Sequence, residues 1–435
     1  LEEAGAREGE VAAELEARLA RLRDEEAAAA LQEEEEAAAA EARRAAEAYV
    51  ASEDEAEAEL EFEIDVGVAR YTATYDQAVS ASARAADLSG GVRGIAPVRG
   101  AEYRDEAFKR VYCMSFHPAG NLLAAAGHGG QAGVFGLSAD LSNEDGAASI
   151  MSWRPHNSWI GEIQWLSGQE GHRTQLITAS NDKTMVLWDC TTSAAAGRTR
   201  VPKKLLGAPH HFHTGGIFSM HEAGGDVVSA GKDGSVVHSR FIEGGWGLMQ
   251  DFENLHGGAV IKCVRFRDAA RGEVFASGGN DRSLRVTDAR AQKGQGVVRV
   301  WEDASDAAVN FVQWSPSDQN MLLSAGFDRA ISLWDLRATS NEPLHRLQGH
   351  HRVPGAGKVK GMHRAAFLAQ GRYVITTGEK TDLISIYDVA TGRAVSRGES
   401  DEGGTAVAVL EDQASCVLAV SGARSAIQLY SPLPA

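Results

Sequence analysis

Cysteine is scarce in this chain: four occur in 435 residues, and Cys113, Cys190, Cys263 and Cys416 stand far apart with no Cys-x-x-Cys spacing. That excludes a recognisable disulfide framework or zinc ribbon and points to a reducing compartment, nuclear or cytoplasmic. No run of about 18 apolar residues occurs, so no segment reads as a membrane-spanning helix. Basic charge is lacking at one end only. Residues 1–65 hold 23 Asp and Glu against six Arg and no Lys, which accounts for the whole net charge of −17. The remainder is balanced at 37 acidic and 37 basic residues, and that neutrality gives no support for a nucleic-acid partner. The chain starts at Leu1 rather than Met, which points to a processed or incomplete N-terminus.

Large apolar residues are also missing from 23–48 apart from Leu31, in a stretch made mainly of the helix formers Ala, Glu and Arg. Val11, Leu15, Leu19 and Leu22 fall at helical spacing just before it and form one short stripe. A coiled coil needs several sustained heptads, and this stripe does not supply them. Residues 1–65 therefore read as an acidic helical or disordered extension, followed by a linker over 66–91. A sharper reading makes the Val11–Leu22 stripe a partner-binding helix.

Repetition is what the rest of the chain offers. The runs LITASNDKTMVLWD, SAGKDGSVVHS, ASGGNDRSLRVTD and LLSAGFDRAISLWD carry Asp182, Asp233, Asp281 and Asp328, which lie 51, 48 and 47 residues apart. Each run pairs short Val/Ile/Leu-rich segments with Gly, Asn and Asp turns, the pattern of antiparallel strands joined by tight hairpins. Weaker copies occur at 111–137, with Phe135 in place of Trp, at 371–388, with Tyr387, and at 416–430, with Tyr430. A lone four-stranded sheet cannot bury both faces, so about seven such units must stack around an axis.

These residues resemble the WD40 β-propeller family over roughly 92–432. The resemblance implies an all-β propeller spanning 92–435 and a buried His, Ser/Thr, Asp and Trp network in each blade. Carried over by position, the network is His156, Thr178, Asp182 and Trp188, then His213, Ser229 and Asp233, then Ser277 and Asp281, then Ser324, Asp328 and Trp334. His256 falls about one residue out of register in the third of these, and Ser305 stands near the His position of the last. The final copy stops after its third strand, so an unpaired edge needs a partner. The segment VRGIAPVRG at 92–100 is the candidate, and an outermost strand tolerates Pro97.

The same repetition argues against catalysis, because a Ser-His-Asp triad occurs once and this network recurs; no GxSxG surrounds any serine. His210, His211 and His213 lack a Cys or carboxylate at zinc-like spacing, so no metal is expected. No cofactor is expected either: PGAGKVKG at 354–361 has Arg352 and Val359 where a phosphate-binding loop requires Gly and Ser/Thr. The function expected is non-catalytic binding of proteins or peptides, with no membrane role. Within 349–364, Arg352, Lys358, Lys360 and Arg364 make a basic top-face loop suited to an acidic peptide or a phosphate backbone. On the opposite rim, Trp334-Asp335-Leu336-Arg337 and Thr287-Asp288-Ala289-Arg290 resemble the tandem WDxR motif of cullin-4 substrate receptors. That resemblance implies a ligase adaptor facing Arg290, Arg337, Asp335 and Asp288. The alternative is a general assembly scaffold in a ribonucleoprotein or chromatin complex, with nucleic-acid contact.

Overall fold

The computed structural model describes residues 92–434 apart from loop stretches, of which 348–362, 138–148 and 192–200 are the longest. The expected N-terminal extension and linker lie outside the described residues, as do Arg352, Lys358, Lys360, His210 and His211.

Among the described residues, short Val/Ile/Leu-rich runs broken by Gly, Asn and Asp turns form twenty-eight strands in seven four-stranded antiparallel sheets. The chain enters with β1 (Val92–Tyr103) and then builds six consecutive blades. Blade one is β2 (Val111–Phe116), β3 (Leu122–Gly127), β4 (Ala132–Gly136) and β5 (Met151–Trp153). Blade two is β6 (Ile160–Trp165), β7 (Gln175–Ser180), β8 (Met185–Asp189) and β9 (Lys203–Gly207). Blade three is β10 (Ile217–Ala223) to β13 (Gly245–Phe252), and blade four is β14 (Ile261–Asp268), β15 (Arg271–Gly279), β16 (Leu284–Asp288) and β17 (Val297–Trp301). Blade five is β18 (Val309–Trp314), β19 (Met321–Gly326), β20 (Ile331–Asp335) and β21 (His345–Leu347); blade six runs from β22 (His363–Leu368) to β25 (Ala394–Glu399).

Blade seven is composite. It holds β26 (Ala406–Glu411), β27 (Cys416–Ser421) and β28 (Ile427–Pro434), with β1 hydrogen-bonded outside β28. The N-terminal segment thus supplies the strand missing from the last repeat and removes an open edge at the seam. Its ends are anchored on both sides. The Val92 amide donates to the Tyr373 hydroxyl at 3.2 Å, and Tyr103 packs among Phe135, Leu137 and Ile427.

Seven apolar clusters hold the ring. Each draws its side chains mainly from two adjacent blades, such as Trp153, Trp165 and Trp188 between blades one and two, or Trp301, Trp314 and Trp334 between four and five. A blade's inner faces are therefore buried by its neighbours, which is why no single repeat is stable alone.

Candidate binding face at the mouth of the channel

Antiparallel order fixes two faces. The innermost strands β2, β6, β10, β14, β18 and β22 begin on one, here the upper face; the third strand of each blade ends on the other.

The histidine–aspartate network lies at the upper ends of the blades. His156 Nδ1 is 3.0 Å from Asp182 Oδ2, and its Nε2 is 2.8 Å from Thr178 Oγ1, which also accepts from Trp188 Nε1 at 2.9 Å. Trp donates to Thr, Thr to His Nε2, and the Nδ1 proton goes to the carboxylate; every polar group in the chain is then satisfied. Blade three repeats the unit with His213, Ser229 and Asp233. In blade four His256 makes the equivalent bonds to Asp281 (2.9 Å) and Ser277 (2.8 Å), so its one-residue offset in sequence does not remove it from the network. The left-handed residues Gly257 and Gly258 absorb that offset in the turn between His256 and β14. Blade five has no histidine here: Asp328 accepts from the Asp306 amide at 2.8 Å, and Trp334 Nε1 donates to Ser324 Oγ at 2.8 Å.

Burial opposes ionisation of Asp182, but hydrogen bonds from His156, Thr184 and the Asn157 amide outweigh it and hold the carboxyl at about 2. Asp233 and Asp281 are lowered in the same way against the same burial cost. A depressed folded pKa means this stability is fully present above the unfolded value near 4 and is lost as pH falls towards 2. After solvent screening Asp182 alone contributes about 1–2 kcal/mol. Urea unfolding at pH 6 and pH 3 is expected to show a larger acid loss in the native chain than in Asp182→Asn; equal losses would refute the assignment.

On the lower face the two DxR arginines occupy matching places in adjacent blades. Arg290 Nη2 pairs with Asp288 at 2.7 Å and Nη1 with Glu273 at 3.2 Å; Arg337 pairs with Asp335 at 2.9 Å and Asp318 at 2.8 Å. Both side chains remain about 60% exposed. Each arginine is thus held by its own blade while its outer edge faces solvent.

The channel is a cavity of about 470 Å³ lined by the inner strands. Arg265 reaches along the channel wall, donating to Glu162 two blades away and, on the blade between, to Ser219 Oγ at 2.8 Å and Met220 O at 3.1 Å. His221 beside it is driven down to about 3, first by burial and then by the Arg265 charge, so it is neutral; the Phe266 amide donates to its Nδ1.

Above the channel lies a cleft of about 260 Å³, bordered by Arg110, Tyr112, Trp159, Phe218, Lys262, Phe327 and Arg364. One register rule produces most of it. Tyr112, Gly161, Phe218, Lys262, Asn310 and Arg364 are each the second residue of an innermost strand. In the first five of these strands the pairing register shifts across that residue, between Val111 and Cys113 for example, and again between Ile261 and Cys263. A β-bulge withdraws one residue from the ladder and re-aims its side chain, here towards the channel mouth. Gly161 keeps the blade-two position small because a Cβ there would sit 2.4 Å from the Phe218 carbonyl. Trp159 fills the space from the preceding loop, its ring 5.0 Å from Phe218 and 6.2 Å from Tyr112.

Arg364 belongs to this cleft. It stands on β22 rather than in the basic loop where the sequence suggested it, because the strand begins at His363. Tyr112, Phe218, Lys262 and Phe327 were not among the expected site residues; aligning the copies on the first residue of each inner strand exposes all but Phe327. Among the described residues no cluster of His, Cys, Asp and Glu is arranged to hold a metal, and no helix is long and apolar enough to cross a membrane.

Comparison with known proteins bears on this geometry. The WD domain, G-beta repeat family matches residues 104–135 and 296–335, within blade one and across blades four and five. The ribosome biogenesis protein WDR12 homolog of Nematostella vectensis is 28% identical over 252 residues, covering 51% of this chain and 56% of that protein. The THO complex subunit 6 homolog of Danio rerio is 27% identical over 256 residues, 56% of this chain and 73% of that one. A guanine nucleotide-binding protein subunit beta of Solanum tuberosum is 24% identical over 288 residues, 66% of this chain and 59% of that one. The chain thus spans little more than half the length of the Nematostella relative. The matched WD40 repeats thus sit, among the described residues, in a β-propeller of seven four-stranded blades.

Proposed function

We propose that this propeller is a non-catalytic assembly scaffold of a nuclear ribonucleoprotein complex, and that it grips a protein partner at the upper mouth of its channel. The observation carrying this reading is the bulged ring: side chains released from pairing in successive blades converge on one cleft, where three aromatic rings in contact stand among cations. Half-exposed aromatics that pack on one another, with arginine nearby, have the composition of binding hot spots. The names of two relatives, a ribosome biogenesis protein and a THO complex subunit, support the ribonucleoprotein setting and with it a nuclear location. Affinity purification of the tagged chain from its source is the test. Ribonucleoprotein assembly proteins are expected with the native chain and are expected to be lost with Trp159→Ala plus Phe218→Ala. Full retention by that variant would overturn the reading.

A second reading keeps one specific observation in its favour: Arg290 and Arg337 are exposed at matching positions on adjacent blades. Under it the chain is a cullin-4 substrate receptor whose adaptor docks on the lower face. An Arg290→Ala plus Arg337→Ala variant in the same purification decides it, since only this reading expects the adaptor to be present and then lost.

A further inference from the structure

We propose that the cleft takes an acidic linear segment of a partner protein, seating a carboxylate between Lys262 and Arg364 and an apolar side chain against Trp159 and Phe218. This rests on the protein-binding role given to that face and names the chemistry of what binds there.

Charge carries the argument. The Lys262 ammonium stands 3.8 Å from the centroid of the Phe218 ring, and the Lys232 ammonium approaches the same ring at 5.9 Å. Burial first, and then the Lys232 charge, hold Lys262 below the usual lysine range, so the pair lacks a counter-ion that would restore it. Arg364 adds a third cation. Its guanidinium lies 5.7 Å from the Phe311 ring, and its buried Nε has no hydrogen-bond partner. Arg265 leans on the same ring at 6.0 Å but is neutralised by Glu162, whereas among the described residues no carboxylate pairs with Arg364, Lys232 or Lys262. A guanidinium fork and an ammonium facing one cleft match a carboxylate by charge and by donor geometry. The adjoining rings of Trp159 and Phe218 offer an apolar wall for the neighbouring side chain.

The surroundings favour a peptide over a nucleic acid. Residues outside 1–65 balance acid and base, so net charge offers no general attraction for a phosphate backbone. A cavity of about 260 Å³ holds one or two side chains. A single-stranded nucleic-acid site needs a groove of about four nucleotides or more.

The test is fluorescence anisotropy with the full chain and a labelled twelve-residue peptide alternating acidic with leucine or phenylalanine residues. A matched peptide with lysine in place of the acids and a twelve-nucleotide oligouridylate serve as competing probes. The acidic peptide is expected to bind and the basic one not; Lys262→Glu and Arg364→Glu are each expected to raise Kd about tenfold or more. Because Arg364 packs on Phe311, an unchanged thermal midpoint is required of its variant, and Lys262→Glu tests the site independently. Absent binding, binding indifferent to both variants, or tighter binding of the oligouridylate would overturn the inference. If native partners are lost with Trp159→Ala plus Phe218→Ala but kept by Lys262→Glu, the face binds protein through other chemistry, and only this inference falls.

Discussion

Alanine at Gly130 is expected to cost about 4 kcal/mol or more, enough to leave much of the chain unfolded or insoluble at 37 °C. Gly130 sits in the turn from β3 to β4 with φ of +80°, where an L side chain is strained. The larger problem is steric: a Cβ would lie 1.8 Å from the His156 carbonyl oxygen and 3.0 Å from that of Ser158. Both obstacles are backbone, in the loop that leads His156 into the next blade, so relief requires blades one and two to move apart. Their shared cluster includes Trp153, Ile163, Trp165 and Trp188, and separation opens it. The neighbouring Gly129 provides the control. It too has positive φ, +74°, but a Cβ there meets nothing within 4 Å, so Gly129→Ala is expected to cost only about 1 kcal/mol. Urea midpoints of the two variants check the contrast, and similar losses would show that backbone strain rather than blade separation dominates.

His156→Ala is expected to lower stability by about 3 kcal/mol. Three partners lose an interaction at once: Asp182, Thr178 and Thr184. The remainder is only partly rescued. Asp182 still accepts from Thr184 Oγ1 at 2.6 Å and from the Asn157 amide at 3.0 Å, and Thr178 turns to the Val186 carbonyl at 3.4 Å. An imidazole-sized void remains beneath a half-buried carboxylate. Trp188→Phe, which removes one donor but keeps a ring, is expected to cost about 1–2 kcal/mol. Thermal unfolding of the pair of variants is the measurement; a His156 loss below about 1 kcal/mol would mean that the network is decorative in blade two.

Where buried chemistry limits the choice of residue, the sequence was readable. Asp182, Asp233 and Asp281 recur because each must accept from a histidine and from turn groups, and few side chains do both. The closing strand is readable for a topological reason, since a repeat ending near Tyr430 leaves β28 without an outer partner. His256 falls out of register in the sequence because linear spacing cannot register a turn that takes up an extra residue at Gly257 and Gly258. The sequence groups Arg364 with a loop because nothing in GHHRVPGAGKVKGMHR marks the point where β22 begins. The cleft was least visible. Tyr112, Phe218, Lys262 and Asn310 share a position but no chemistry, and repeat analysis finds only what recurs.

That same lack of recurrence has an evolutionary meaning. Gly161 apart, where a Cβ would meet the Phe218 backbone, a bulged residue contributes neither a rung to its sheet nor a side chain to the apolar clusters between blades, so exchanging it disturbs little of what folds the ring. The bulged second residues of the inner strands therefore act as dials around one aperture. A lineage built on this ring changes its partner through a few exchanges there, one dial at a time, with the folded state kept at each step.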